Sequence, residues 1–88
     1  MKDSYAVYLH ADLLDTVPTR GEQRRSVLNF IRLLAENPFT EGDYIDRDAS
    51  LRVRQIKLVG RFAVAYWADH AIKTVMVVAV RPTGRPSR

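Results

Sequence analysis

A chain of 88 residues, 47% of them hydrophobic and 27% charged, can close one compact domain around an ordinary core and has no room for a second. Without a single cysteine it excludes disulfides, thiol nucleophiles and thiolate metal sites, and it suits a reducing compartment. The net charge of +4 is unevenly placed: residues 1–50 hold six Lys or Arg against nine Asp or Glu, and residues 51–88 hold eight against Asp69 alone, so a surface for a polyanion such as RNA belongs to the second half.

Residues 1–14 lack the apolar core and small-residue cleavage site of a signal peptide, and no stretch approaches the roughly 18 apolar residues of a membrane span. A cytoplasmic protein is therefore expected, with no membrane among its partners. Tyr5 to His10, rich in aromatic and β-branched residues, reads as a first strand. Asp12 to Val17 has the pattern of one helical turn, cut short by Pro18. Thr19-Arg20-Gly21-Glu22 matches a capping box and predicts a helix start. Val27, Phe30, Ile31, Leu34 and Ala35 follow at helical spacing as one apolar stripe, and Asn37-Pro38 ends the helix.

Phe39 to Ser50, with Gly42 and four acids, reads as a polar connection whose Asp43, Asp46 and Asp48 are solvated; no metal site is assigned to them or to Asp12 and Asp15. From Leu51 the pattern becomes that of strands. Leu51-Arg52-Val53-Arg54 alternates in one phase and Ile56-Lys57-Leu58 in the other, which predicts a bulge near Gln55. Val59-Gly60 supplies a turn, Phe62 to Trp67 a second strand, Asp69-His70 a tight turn, and Ile72 to Val80 a third. Val75 to Val80 is continuously apolar, as in a central strand covered on both faces. Residues 82–88 read as a flexible basic tail, so that residues 1–81 form the domain.

Four segments in this order resemble the RelE/ParE superfamily of toxins from type II toxin-antitoxin systems. They are Leu33 to Phe39, Arg52-Val53-Arg54, Val59 to Tyr66, and the last strand ending at Arg81. The resemblance spans nearly the whole chain and implies a βααβββ α+β fold, in which a small sheet with an antiparallel meander carries one or two helices on one face. It also implies a cognate antitoxin wrapped around the toxin. Homodimers of this fold occur, which adds self-association to the implied partners.

The RelE branch cuts messenger RNA on the ribosome, using a ribose 2′-hydroxyl as nucleophile and neither metal nor cofactor. Such chemistry needs a base, cations beside the phosphate oxygens and an acid for the leaving oxygen. Arg52 and Arg54, two apart on a strand, share a face and match the basic pair of the ribonuclease members. Lys57 is the candidate base, because arginine does not readily lose its proton. Arg61 at the meander turn and Arg81 at the end of the last strand complete the candidate site as phosphate ligands. The chain departs from the ribonuclease pattern in two places. Ala63 follows Phe62 where those members have an arginine, and no C-terminal tyrosine or histidine follows beyond His70 in its turn. These gaps keep two alternatives open: a ParE-like inhibitor of DNA gyrase without nuclease activity, and a non-toxic basic module that binds nucleic acid or protein. Trp67 could stack on a base or cover a core, Tyr66 fits a half-buried strand position, and His10 reads as structural.

Overall fold

The computed structural model describes residues 4–83. The apolar stripe forms the single long helix among them, α1 (Gly21–Glu36), and buries Val27, Ile31 and Leu34 against the sheet. Its start differs from the capping-box expectation: Arg20 is the N-cap, in extended backbone, and no side chain caps the helix. The C-terminal end falls at Asn37, ahead of Pro38, as the proline requires. The segment before Pro18 is reduced to a 3₁₀ helix at Ala11–Asp15, where His10 Nδ1 accepts from the Asp12 amide and so caps the turn.

Five strands follow one another as β1 (Ala6–Leu9), β2 (Tyr44–Arg47), β3 (Val53–Val59), β4 (Phe62–Asp69) and β5 (Thr74–Pro82). They pair in the order β1-β5-β4-β3-β2, with β1 parallel to β5 and every other pair antiparallel. The expected meander is β3-β4-β5, and the helix lies on one face of it. Val64, Tyr66, Val75, Val77 and Val80 meet the helix stripe in the core, joined by Val17. Strand alternation leaves the other face of the sheet uncovered.

Five expectations need correction. The polar connection contains β2, an edge strand that pairs with β3 through Tyr44–Ile56, Ile45–Gln55, Asp46–Arg54 and Arg47–Val53. No bulge interrupts β3 at Gln55; the irregularity lies between Ala65 and Tyr66, opposite β5. The phase change along β3 arises because its apolar residues switch faces while the strand runs straight: Ile56 is buried on the uncovered face beside Ala65, and Val53 is exposed. β5 is central but covered on one face only, with Val78 exposed, and it begins at Thr74, since Ile72 is an exposed turn residue. At the far end two residues expected in the tail are engaged. Pro82 belongs to β5, and Thr83 donates to the Arg61 carbonyl through its amide at 2.7 Å and its hydroxyl at 3.0 Å. The remainder of the expected tail, 84–88, lies outside the described residues.

Two glycines allow close approaches around β3. Gly60, at φ 59°, makes the β3–β4 turn, and a Cβ there would meet the Gln23 amide of α1 at 2.7 Å. At Gly42 a Cβ would run into the Ile56 carbonyl. That bare backbone lets the loop close on β3, where the Asp43 amide donates to Ile56 O at 2.7 Å and the Gly42 amide donates to Gln55 Oε1 at 2.8 Å.

Candidate functional site

Register assigns each side chain of the meander to a face. Ile56 pairs with Ala65 and Ala65 with Ala79, while Ala63 pairs with Arg81, so these residues share the uncovered face with Arg54. Small alanines on β4 and β5 leave the middle of this face low. The result is a recess of about 200 Å³ whose rim includes Tyr44, Asp46, Arg54 and Arg81. Two of the candidate arginines thus come together in one cavity.

Arg52 lies on the same side, just before β3 begins, and stacks its guanidinium on the Trp67 ring with 4.3 Å from Cζ to the ring centre. Lys57 does not join them. Paired with Val64, it leaves β3 on the helix side and meets Asp43 at 3.5 Å. Arg61 also stands apart, exposed in the turn after Gly60, where its amide donates weakly to Gln23 at 3.4 Å.

The acids expected to be solvated are engaged instead. Asp46, opposite Arg54 in the β2–β3 ladder, takes both ends of its guanidinium: Nε donates to Oδ1 at 2.9 Å and Nη2 to Oδ2 at 2.8 Å. This bidentate bond holds the Asp46 carboxyl below the ordinary carboxylate range and raises Arg54 above the ordinary arginine value. Asp43 is lowered too, first by the Leu58 amide that donates to it at 2.7 Å and then by Lys57. Asp48 organises the β2–β3 turn by accepting the Ser50 and Arg52 amides at 2.9 Å, with the Arg52 guanidinium 3.8 Å away. Each of these three aspartates therefore faces one cation of β3 or its approach. Arg81 has no acidic partner within 4.0 Å among the described residues.

Proton chemistry in the recess is correspondingly thin. Tyr66 is buried on the helix side, where its hydroxyl donates to Thr40 O at 3.0 Å. Burial first, then the charges of Asp43 and Glu41, push it up to about 12. His70 sits elsewhere: its Nδ1 is 2.8 Å from the Tyr5 hydroxyl and its ring stacks on exposed Phe39 at 4.7 Å. The larger recess, about 530 Å³ between Tyr5, Phe39 and the end of α1, is separate from the arginines. Among the described residues no three His, Asp or Glu side chains converge as metal ligands would, and no helix there is long and apolar enough to cross a membrane.

Of the residues around the recess, Asp46 and Tyr44 escaped sequence reasoning because both depend on β2. The available signal was Gly42 followed by Tyr44-Ile45, a close-approach glycine ahead of two strand formers.

A one-helix, five-stranded α+β domain with an uncovered sheet face lined by arginines is the class that these features define. Its fold is the RelE fold. The chain is similar to a chain in the crystal structure of the archaeal RelE-RelB complex from Pyrococcus horikoshii OT3, with a TM-score of 0.73 at 17% identity over 94% of this chain and 99% of that one. The α+β architecture expected from the resemblance is thus present. No protein-family model and no curated protein sequence matches the chain.

Proposed function

We propose that this chain is the toxin of a toxin-antitoxin pair and that it inhibits translation by cutting ribosome-bound messenger RNA in the cytoplasm. The observation that carries the reading is the shared recess of Arg54 and Arg81 on an uncovered sheet face, with Arg52 beside it. Two guanidinium groups around one recess suit the doubly hydrogen-bonded recognition of a phosphate. Their charge favours the crowded phosphorane that forms when a ribose 2′-hydroxyl attacks the neighbouring phosphorus. That attack yields a cyclic phosphate and a free 5′-hydroxyl, with one proton leaving the nucleophile and one reaching the departing oxygen.

The carboxylate in the recess, Asp46, is a weak base because Arg54 holds its pKa down. In this reading the arginines supply binding and charge stabilisation, and proton transfer is left largely to water or to the ribosome. Lys57 has no part in it, being on the helix side and paired with Asp43. A fold shared with a RelE that crystallised together with RelB supports an antitoxin as partner. An antitoxin segment with acidic and apolar side chains would match the arginines and the exposed Tyr8, Leu58 and Val78 of the uncovered face.

The test is to dose cell extract with purified protein, following protein synthesis and the supercoiling of a plasmid in parallel. Inhibited synthesis with new 5′-hydroxyl ends on the messenger, and unchanged supercoiling, is the expected outcome. Loss of supercoiling with intact messenger would replace this reading by gyrase inhibition. An Arg54→Ala, Arg81→Ala double variant that remained fully inhibitory would remove the recess from the mechanism.

A further inference from the structure

The stacked pair of Arg52 and Trp67 is not explained by the phosphate recess. Trp67 is the sole tryptophan of the chain. It follows Ala63 and Ala65 on the uncovered face of β4, so a large flat ring rises at one end of a floor of alanines. Arg54 and Trp67 each sit one residue beyond the paired Gln55 and Tyr66, which makes them cross-strand neighbours. The ring is not itself part of the recess lining; the register puts it next to Arg54 and two residues along β4 from Ala65, which is in that lining.

What covers the ring is easily exchanged. Arg52 precedes β3, its backbone is fixed by the bond from its amide to Asp48, and its side chain is 49% exposed. The guanidinium has no ion-pair contact closer than 3.8 Å. A cation on an exposed aromatic ring gains about two- to five-fold in equilibrium constant. A nucleobase stacked on such a ring gains about five- to 150-fold. By these magnitudes a stacked base outcompetes the guanidinium over most of the range, and a released Arg52 would stay tethered near the same strand's phosphates.

We propose that Trp67 is a nucleobase platform, capped by Arg52 until single-stranded RNA binds, and that the base beside the phosphate held by Arg54 and Arg81 takes the place of the cap. The inference rests on the RNA-binding reading above and adds a base-stacking subsite to it. Recognition through a ring face is tolerant of base identity, since every base has one.

Because no other tryptophan contributes, the emission of Trp67 reports the platform directly. The full chain is titrated at low salt with a short fluorescein-labelled single-stranded RNA and with an abasic strand of equal length, following anisotropy and Trp67 emission together. The expected result is binding of both strands by anisotropy, with Trp67 emission falling only for the strand that carries bases. Trp67→Leu should weaken the intact strand by about five- to 150-fold relative to the abasic one. Arg52→Ala should lower the slope of log affinity against log salt by about 0.7, one phosphate contact on a single strand. Binding by anisotropy with unchanged Trp67 emission, or equal changes for both strands, overturns the platform and leaves the phosphate recess standing. Absence of any anisotropy change overturns the RNA reading and the platform with it. The wild-type emission decides the matter even where a Trp67 variant fails to fold.

Discussion

Asp46 puts a negative charge into the recess that the phosphate reading requires to be positive, so replacing it tests that reading directly. With Arg54, Arg81 and Asp46 around it, the recess has a formal charge of +1, and Asp46→Asn raises this to +2. The amide keeps an acceptor for the Arg54 guanidinium and so keeps a bond across β2 and β3, and the variant should fold. Freeing one cation for phosphate steepens the salt dependence of binding to a single strand by about 0.7 in log affinity per log salt. Between about 50 and about 200 mM salt, the ratio of variant to parent affinity should then change by about 2.5-fold, the variant gaining most at low salt. Anisotropy of a labelled single-stranded RNA, measured across that range for both proteins, reads the effect. Parallel salt slopes, or weaker binding by the variant throughout, would show that Arg54 is no phosphate ligand and that the pair is only a clamp between β2 and β3.

Tyr66 gives two further expectations. Tyr66→Phe removes the bond to Thr40 O and should cost about 1 kcal/mol in chemical denaturation. Because its folded pKa of about 12 stands above the ordinary 10.0, the native state keeps a proton that the unfolded chain has lost; wild-type stability should fall as pH rises from 10 through 12, and the phenylalanine variant should lose that dependence. At the acid end the signs reverse: Asp43 and Asp46, lowered by their partners, stabilise the fold above the ordinary carboxylate value of 3.8, and this is lost as pH falls through their folded values, so Asp46→Asn should flatten the acid limb of a denaturation profile. Leu34→Ala opens a fully buried position and should cost about 2–5 kcal/mol by the same assay. Leu51 turns at φ 65° with an exposed side chain, so Leu51→Gly should relieve strain and raise the thermal midpoint by a few degrees; a lower midpoint would contradict it.

The helix and the meander were legible because their patterns are strong and local. Val27, Ile31 and Leu34 recur at helical spacing, and β4 and β5 are dense in β-branched and aromatic residues. The strand β2 was not, since Tyr44-Ile45-Asp46-Arg47 is half charged and is made a strand by its partner β3. The same kind of non-local cause misplaced Lys57. A bulge at Gln55 would have turned Lys57 onto the side of Arg54; in the straight strand, Ile56 takes the uncovered face and is buried there by Ala65 and its neighbours. Parity alone correctly grouped Arg52 with Arg54, whereas the meeting of Arg54 and Arg81 needed the β3-β4-β5 order that the meander predicts.

The opposite charges of the two halves meet each other within the fold. β2 is a four-residue edge strand whose Tyr44 and Ile45 are largely exposed, so apolar burial does little to set its register. A slip of one residue would carry Asp46 to the helix side and leave Arg54 unmatched, and the bidentate pair opposes that slip. Asp43 with Lys57, and Asp48 with Arg52, pin the strand's two ends to β3 in the same way. Three cations of the basic half are thus already matched by acids of the first, and in the recess Arg81 has no ion-pair partner among the described residues. On the proposed reading, an incoming phosphate or an antitoxin carboxylate would meet an Arg81 with no ion-pair partner among the described residues, and would compete with Asp46 for Arg54. Affinity at this face would then be set by the exchange of partners at Arg54 more than by the total positive charge of the chain.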